Sequence, residues 1–272
     1  MSAAADDADL AWLLQVLFER YHYDFRLYAE ASLKRRVASA LQHFGYDSVR
    51  GLGARVLEDA QLFSELLRFL TVQVSDLFRD PDYFRAIREQ VLPVLATYPS
   101  LRVWVAGCAT GEEAYSLAIV LAEEGLLGRA QIYGTDIHPE SLRVAAEGVY
   151  PVDRFARFSE NYRLAGGKGS LSDFYTAGYS GAVLDRSLKK NILFADHSLA
   201  TDSVFAEMHL ISCRNVLIYF DRELQNRAVS LLYDSLCRRG FLGLGLKETL
   251  RFSARADGFR EFVPDARIYQ RL

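Results

Sequence analysis

The sequence predicts an α/β protein in which an open, mostly parallel sheet follows a helical domain. Three observations carry this. Residues 101–124 read as strand, glycine turn, helix: Val103, Trp104, Val105 and Ala106 form a short apolar run, Gly107 and Gly111 follow, and Ala114, Leu117, Ala118 and Leu121 recur at helical spacing. Further short apolar runs at 131–134, 191–194 and 209–212 have the length of buried strands. Residues 1–70 carry only helical patterns.

Taken in order, Leu10, Leu13, Leu14, Leu17 and Tyr21 make one apolar stripe and Leu33, Val37, Leu41 and Phe44 a second. Gly45-Tyr46-Asp47-Ser48 is a helix stop followed by a new start, and Leu62, Leu66 and Phe69 continue the pattern. Lys34, Arg35 and Arg36 stand together on the second helix. A charge run is usually a solvated face; the functional reading is a docking face for an acidic partner helix. In 71–80, Thr71, Gln73 and Ser75 alternate with Val72, Val74 and Leu77, which puts the polar groups on one side of an extended segment. That segment is either an isolated surface strand or a linker lining a site, with Arg79 as a planar fork for a carboxylate. A connecting helix is expected over 82–95, giving a linker region of 71–100 between the helical domain and a sheet domain of 101–272.

Gly107 and Gly111 are spaced G-x-x-x-G, unlike the dinucleotide G-x-G-x-x-G, and Glu112 and Glu113 open the helix where a pyrophosphate would lie. These acids suit a helix N-terminus and a cationic ligand. The bland alternative is a tight turn without a ligand. Asp136 ends the 131–134 strand about 25 residues after the turn, where an acid can accept both hydroxyls of a ribose; a helix N-cap is its other reading. A helix over 140–147 ends at Gly148 and Pro151. Residues 158–190, with Gly166-Gly167-Lys168-Gly169 and several aromatics, read as a small antiparallel β excursion. A helix over 221–236 and two strands, 240–246 and 267–272, close the chain. If the last strand pairs antiparallel, the sheet departs from the dinucleotide plan.

The chain has 272 residues, half of them hydrophobic, enough for one large domain plus a small one. A net charge of −3 gives no bulk attraction for nucleic acid. Cys108, Cys213 and Cys237 have neither metal nor disulfide spacing, which fits a reducing cytoplasm, and the five histidines are scattered, so no metal is expected. No apolar stretch is long enough to span a bilayer, and residues 1–9 look like neither a signal peptide nor an anchor.

At Tyr23-Asp24-Phe25, Ser32 to Arg36, Ser75-Asp76-Leu77-Phe78-Arg79, Gly107 to Glu113, Gly134-Thr135-Asp136-Ile137 and Cys213 to Asp221, the chain resembles the CheR-type chemotaxis-receptor protein-glutamate O-methyltransferases. The resemblance covers nearly the whole length. It implies a Rossmann-like class I methyltransferase sheet with an N-terminal helical domain and a small inserted antiparallel β subdomain. It also implies S-adenosylmethionine as cofactor, S-adenosylhomocysteine as product, and glutamate side chains in the cytoplasmic helical region of chemoreceptors as substrate. Carried over, Gln73, Ser75, Arg79 and Glu113 line the amino-acid end of the cofactor, Gly107 and Gly111 form the turn beneath it, and Asp136 holds the ribose. Ser198 and Leu199 flank the adenine, Cys213 and Arg214 form a wall, and Tyr219 sits by the methyl group. Arg79, Tyr219 and secondarily Arg214 are the candidates for orienting the incoming carboxylate. The family commonly has Asn at Gln73, Thr at Ser75, Phe at Leu77 and Asn at Ser198, and Gly-His-Ser-Glu where this chain has Gly245-Leu246-Lys247-Glu248.

Two other readings compete. One is a degenerate methyltransferase that senses the cofactor or scaffolds a signalling complex, motivated by the altered polar residues and opposed by retained Arg79, Asp136 and Tyr219. The other is a nicotinamide-dependent oxidoreductase, disfavoured by the glycine spacing and by Glu112 and Glu113.

Overall fold

A computed structural model describes residues 6–179 and 181–272; residues 1–5 of the N-terminal stretch read above lie outside the described residues. In chain order the elements are α1 (Asp7–Tyr21), α2 (Glu30–Phe44), α3 (Val49–Glu58), α4 (Ala60–Leu70), α5 (Pro81–Ala86), α6 (Leu92–Leu95), β1 (Leu101–Ala106), α7 (Glu112–Glu123), β2 (Ala130–Asp136), α8 (Pro139–Glu147), β3 (Val149–Tyr150), α9 (Phe155–Leu164), β4 (Tyr175–Gly178), β5 (Gly181–Leu184), α10 (Arg186–Lys189), β6 (Ile192–Asp196), β7 (Met208–Cys213), α11 (Arg222–Ser235), β8 (Leu236–Leu244), β9 (Phe259–Val263) and β10 (Ile268–Arg271). The chain divides into two compact units. One joins residues 6–73 to Leu217–Ala228; the other joins Val74–Val216 to Val229–Leu272.

In the first unit the two apolar stripes of α1 and α2 are buried at Leu10, Leu13, Leu14, Leu17, Leu33, Val37 and Leu41. Gly45 ends α2 in the left-handed region at φ 73°, as a helix stop requires. Ser48 and Asp59 cap α3 and α4 by accepting backbone N–H bonds. A Cβ on Gly53 would stand 2.5 Å from the Trp12 ring, so this glycine lets α3 approach α1 closely. The Tyr21 ring stacks on Phe63 at 3.8 Å. The segment 217–221 is stitched to the entrance of α2: Ala29 N–H donates to the Tyr219 carbonyl at 2.8 Å, and Asp221 N–H to the Leu27 carbonyl at 2.9 Å.

In the second unit seven strands are ordered β6-β2-β1-β7-β8-β10-β9. The first five run parallel, whereas β10 pairs antiparallel with both β8 and β9, so the sheet does depart from the dinucleotide plan. Val103 and Val105 face the core that α7 covers, and period two turns Trp104 to the opposite face, where its indole N–H donates to the Thr135 hydroxyl at 2.8 Å. A second sheet, β3-β5-β4, is the inserted antiparallel element. No helix among the described residues is long and apolar enough to cross a membrane.

Several element boundaries differ from the sequence reading. Residues 71–80 form no strand; the segment is irregular, with a turn at 77–78, and buries Asp76, Leu77 and Phe78. The 82–95 helix is interrupted by a π turn at Ile87–Val91. The 158–190 excursion begins inside a helix, α9, and takes its third strand, β3, from residues ahead of it. The strand expected at 240 starts at Leu236 and passes through Arg239 at φ 66°, and β9 was not foreseen.

Candidate functional site

In an open parallel sheet the binding crevice lies beyond the C-terminal strand ends. Here those ends are Ala106, Asp136, Asp196, Cys213 and Leu244. After Ala106 the chain turns through Gly107 at φ 72°, Ala109 at φ 48° and Gly111 at φ 91° before α7 begins. Packing alone demands both glycines. A Cβ on Gly107 would meet Val216 at 2.5 Å, and one on Gly111 would meet Ala145 at 2.7 Å. Gly107 and Cys108 N–H both donate to the Thr135 carbonyl at 2.8 Å, which locks the turn to the end of β2. Burial, and secondarily Asp136, push the Cys108 thiol well above its ordinary range, so it is an inert filler.

Asp136 is 8% exposed. One carboxylate oxygen accepts from Ala109 N–H at 2.8 Å and the other from His138 N–H at 3.0 Å. The N-cap of α8 is His138, whose Nδ1 accepts from Ser141 N–H at 3.1 Å; Asp136 is therefore not the cap.

The two acids that open α7 do not face outward. Glu112 is fully buried, accepts from the Thr110 hydroxyl at 2.7 Å and from Arg154 at 2.8 Å, and burial holds its carboxyl above the usual carboxylate range. Glu113 accepts from the Ser212 hydroxyl at 2.5 Å and from Arg214 at 2.9 Å. Arg214, 1% exposed at its side chain, also donates to Asp80 at 2.7 Å and to the Arg79 carbonyl at 3.0 Å, and lies over the Tyr83 ring at 4.1 Å. Tyr83 and Ser212 share a hydrogen bond of 2.7 Å, and burial raises the Tyr83 hydroxyl above its ordinary range. Both terminal nitrogens of Arg214 are thus bonded inside the chain, while its buried Nε has no hydrogen-bond partner among the described residues.

That brace fixes the 74–80 turn. Phe78 N–H donates to the Ser116 hydroxyl at 2.8 Å, Asn161 donates to the Leu77 carbonyl at 3.1 Å, and Arg154 donates to the Ser75 carbonyl. Asp76 pairs with Arg154 at 3.1 Å and Arg157 at 2.7 Å. Phe78 and Asp80 take positive φ, of 54° and 57°. The held turn presents Arg79, whose side chain bonds only the Val74 carbonyl, at 3.1 Å, among the described residues.

Ser198 and Leu199 follow β6. Ser198 N–H donates to Asp202 at 2.9 Å, its hydroxyl accepts from Ala200 N–H at 3.2 Å, and Leu199 is buried. Cys213 is buried at the end of β7, and burial raises its thiol. Gln73 and Tyr219 fall in the other unit. There the Tyr219 ring lies under the Arg36 guanidinium at 4.7 Å.

Arg36 also donates to the Leu70 carbonyl at 2.6 Å, and burial lowers its pKa. Lys34 pairs with Asp7 and with Glu30. Of the three cations expected to form a docking face, only Arg35 is exposed and without a side-chain hydrogen bond or ion pair among the described residues. Lys34 is shared with two surface carboxylates and Arg36 turns inward, so the three cations differ in exposure.

Sequence reasoning passed over Asp80, Tyr83 and Ser212, whose importance comes from partners far away in the chain. Leu246 and Lys247 are exposed, while Glu248 is 4% exposed and accepts N–H bonds from Gly245 at 2.6 Å, Asn215 at 2.9 Å and Val216 at 2.9 Å. The two departures in Gly245-Leu246-Lys247-Glu248, Leu246 and Lys247, are solvent-facing, and Glu248 is retained.

Residues 8–71 match the family model described as CheR methyltransferase, all-alpha domain, and residues 73–262 match CheR methyltransferase, SAM binding domain. The chain is 52% identical over 265 residues to the putative methyltransferase Cher3 of Pseudomonas putida, covering 97% of each. It is 32% identical over 246 residues to a chemotaxis protein methyltransferase of Listeria monocytogenes, covering 90% of this chain and 91% of that one. It is 32% identical over 199 residues to chemotaxis protein methyltransferase 2 of Pseudomonas aeruginosa, covering 70% and 67%. The chain belongs to the CheR methyltransferase family, and its cofactor is S-adenosylmethionine. The donor set suits that cofactor. A guanidinium with uncommitted N–H groups at Arg79 fits its carboxylate, and the Asp136 carboxylate at the end of β2 fits its ribose hydroxyls.

Proposed function

We propose that this CheR-family methyltransferase esterifies glutamate side chains in the cytoplasmic helical region of chemoreceptors. The names of its Listeria and Pseudomonas aeruginosa relatives support the chemotactic setting. One observation carries the chemistry: Asp80, Glu112, Glu113, Asp136 and Arg214 beside the strand ends are bonded to their own chain, while Arg79 bonds only the Val74 carbonyl among the described residues. A glutamate substrate needs no general base, since it is ionised at neutral pH.

The cofactor supplies a methyl group activated on a sulfonium. The protein supplies alignment and exclusion of water. Gln73, Ser75 and Arg79 hold the amino-acid end of the cofactor, Gly107 and Gly111 shape the turn beneath it, and Asp136 holds the ribose. Ser198 and Leu199 flank the adenine side, and Cys213 walls the site at the end of β7. Arg214 and Glu113 act at one remove by fixing the Arg79 turn. The Tyr219 hydroxyl orients the incoming carboxylate, and Arg35 attracts the acidic receptor surface. The setting is the cytoplasm.

Incubation with methyl-labelled cofactor and membranes carrying chemoreceptors tests this. The expected result is labelled receptor whose label leaves as methanol in mild alkali, as an ester requires. Label that resists alkali would mean a different acceptor atom and would overturn the glutamate reading.

A further inference from the structure

Strand β6 is one edge of the seven-stranded sheet. The Asn191 carbonyl accepts from Ile132 N–H at 2.7 Å, so residues 191, 193 and 195 turn their backbone groups to β2. Ile192 and Phe194 therefore turn their N–H and C=O outward along the open edge. Natural edges are usually guarded by a bulge, a proline or an exposed charge within the strand. The opposite edge, β9, has such guards: Arg260 and Glu261 are exposed, and the pairing with β10 shifts register between Ile268 and Tyr269. The β6 edge has no proline and carries its one charge, Asp196, at its last residue. Its register with β2 is unbroken, and Leu193 at its centre is 52% exposed.

The apolar surface continues beside it. Val204 is 45% and Phe205 43% exposed. Phe205 is held in place by edge contacts with Trp104 at 5.1 Å, His197 at 5.1 Å and Tyr133 at 5.6 Å, and Tyr133 is the register partner of Leu193. The patch is fixed before any partner arrives, which lowers the ordering cost of association.

The charges flanking the strand are self-complementary. Lys190 precedes it and Asp196 ends it; both are exposed, and neither forms an ion pair among the described residues. We infer that a second copy of this chain docks antiparallel along β6, with Leu193 facing Leu193 across a two-fold axis. Only registers that match even-numbered residues with even-numbered ones join the outward backbone groups. Of these, the one centred on Leu193 sets Ile192 opposite Phe194 and brings Lys190 alongside Asp196 of the second copy. Centring on Ile192 or Phe194 loses the charge match. The interface is isologous, as a two-fold contact must be. Burial, and then the neighbouring Asp202, hold the Asp196 carboxyl above its usual range, a strain that an incoming cation would relieve.

The test is the solution mass of the full chain under dilution, by light scattering or sedimentation. The wild type should pass reversibly from 30.7 kDa to twice that as concentration rises. Lys190→Asp alone and Asp196→Lys alone should each stay at the lower mass, because each places like charges opposite one another. An equal mixture of the two variants should dimerise again, since both contacts are then complementary. A wild type that stays monomeric to its solubility limit would overturn the inference, as would single variants that still dimerise or a mixture that does not. Leu193→Cys gives an independent reading. Directly opposed residues of a non-hydrogen-bonded antiparallel pair lie about 4.5 Å apart at Cα, within disulfide range. The native cysteines are buried. Oxidation should link Leu193→Cys into a covalent dimer much faster than Val152→Cys, an exposed control. Equal rates would also overturn it.

Discussion

Arg214 and the Lys34-Arg35-Arg36 run use the same kind of side chain in opposite ways. Arg214 is buried with two carboxylates, a carbonyl and an aromatic face around it. The run on α2 is divided among a salt bridge, an inward stack and one exposed guanidinium. A buried guanidinium repays its desolvation only when every partner is in place, so its chemistry is spent on architecture. An exposed one is screened and weakly bound, and remains available to another molecule. In the proposed reading, then, Arg214 fixes the turn, and Arg79, whose side chain bonds only the Val74 carbonyl among the described residues, meets the ligand.

Removing the brace should have the largest effect. Arg214→Ala leaves Glu113 buried without its cation and frees Asp80, and should cost about 3–5 kcal/mol of stability. Arg35→Ala should lie within about 0.5 kcal/mol of wild type. Urea unfolding of both variants measures the contrast, and equal midpoints would break it.

Asp136 stands between the two cases. It serves its own chain through Ala109 and His138 N–H and, in the proposed reading, a ligand as well. Asp136→Ala should weaken S-adenosylhomocysteine binding by about 2–4 kcal/mol, because two hydroxyls lose a charged acceptor. Calorimetry that finds unchanged affinity would remove Asp136 from the binding site and leave it a turn anchor only.

The parts of the molecule that were legible in the sequence are those decided locally. The β1 run, the glycine turn and the α7 stripe need only neighbours within a few residues, and the buried positions of α1 and α2 follow from periodicity. The brace was not legible, because Asp80 and Arg214 are 134 residues apart and no spacing rule links them. The interruption at Ile87–Val91 carries no glycine or proline within it to announce it. Strand β9 is short, and its alternation is broken by Arg260 and Glu261 standing side by side. The division of the α2 cations could have been foreseen. With about 3.6 residues per turn, three consecutive side chains fan through roughly 200° and cannot share one face.

Tyr219 sharpens the comparison from the side of the inward cation. Tyr219→Phe keeps the ring under Arg36 and so should keep stability within about 0.5 kcal/mol of wild type. Only the hydroxyl is lost. Turnover should fall about tenfold, or ~1.4 kcal/mol, with S-adenosylhomocysteine affinity nearly unchanged. Unchanged turnover would make the tyrosine a platform for Arg36 and nothing more.

Arg35 should show the smallest effect and the most diagnostic one. Reversing all three charges would confound docking with folding, since Arg36 bonds the Leu70 carbonyl and Lys34 holds Glu30. Arg35→Glu alone touches no intramolecular partner among the described residues. If this residue steers an acidic receptor surface, the variant should raise the apparent KM for receptor a few-fold at low salt, with kcat and cofactor affinity unchanged. The difference should shrink as ionic strength rises and the Debye length falls to about 8 Å near physiological salt. A packing role predicts the reverse pattern: a shift in unfolding midpoint and no salt dependence in KM. Arg35→Lys separates charge from shape, because it keeps the point charge and loses only the planar fork. It should behave as wild type if long-range attraction is what matters. A receptor KM that is unmoved by Arg35→Glu at low salt would end the docking reading while leaving the cofactor site untouched, since Asp136 and Arg79 belong to the other unit of the chain.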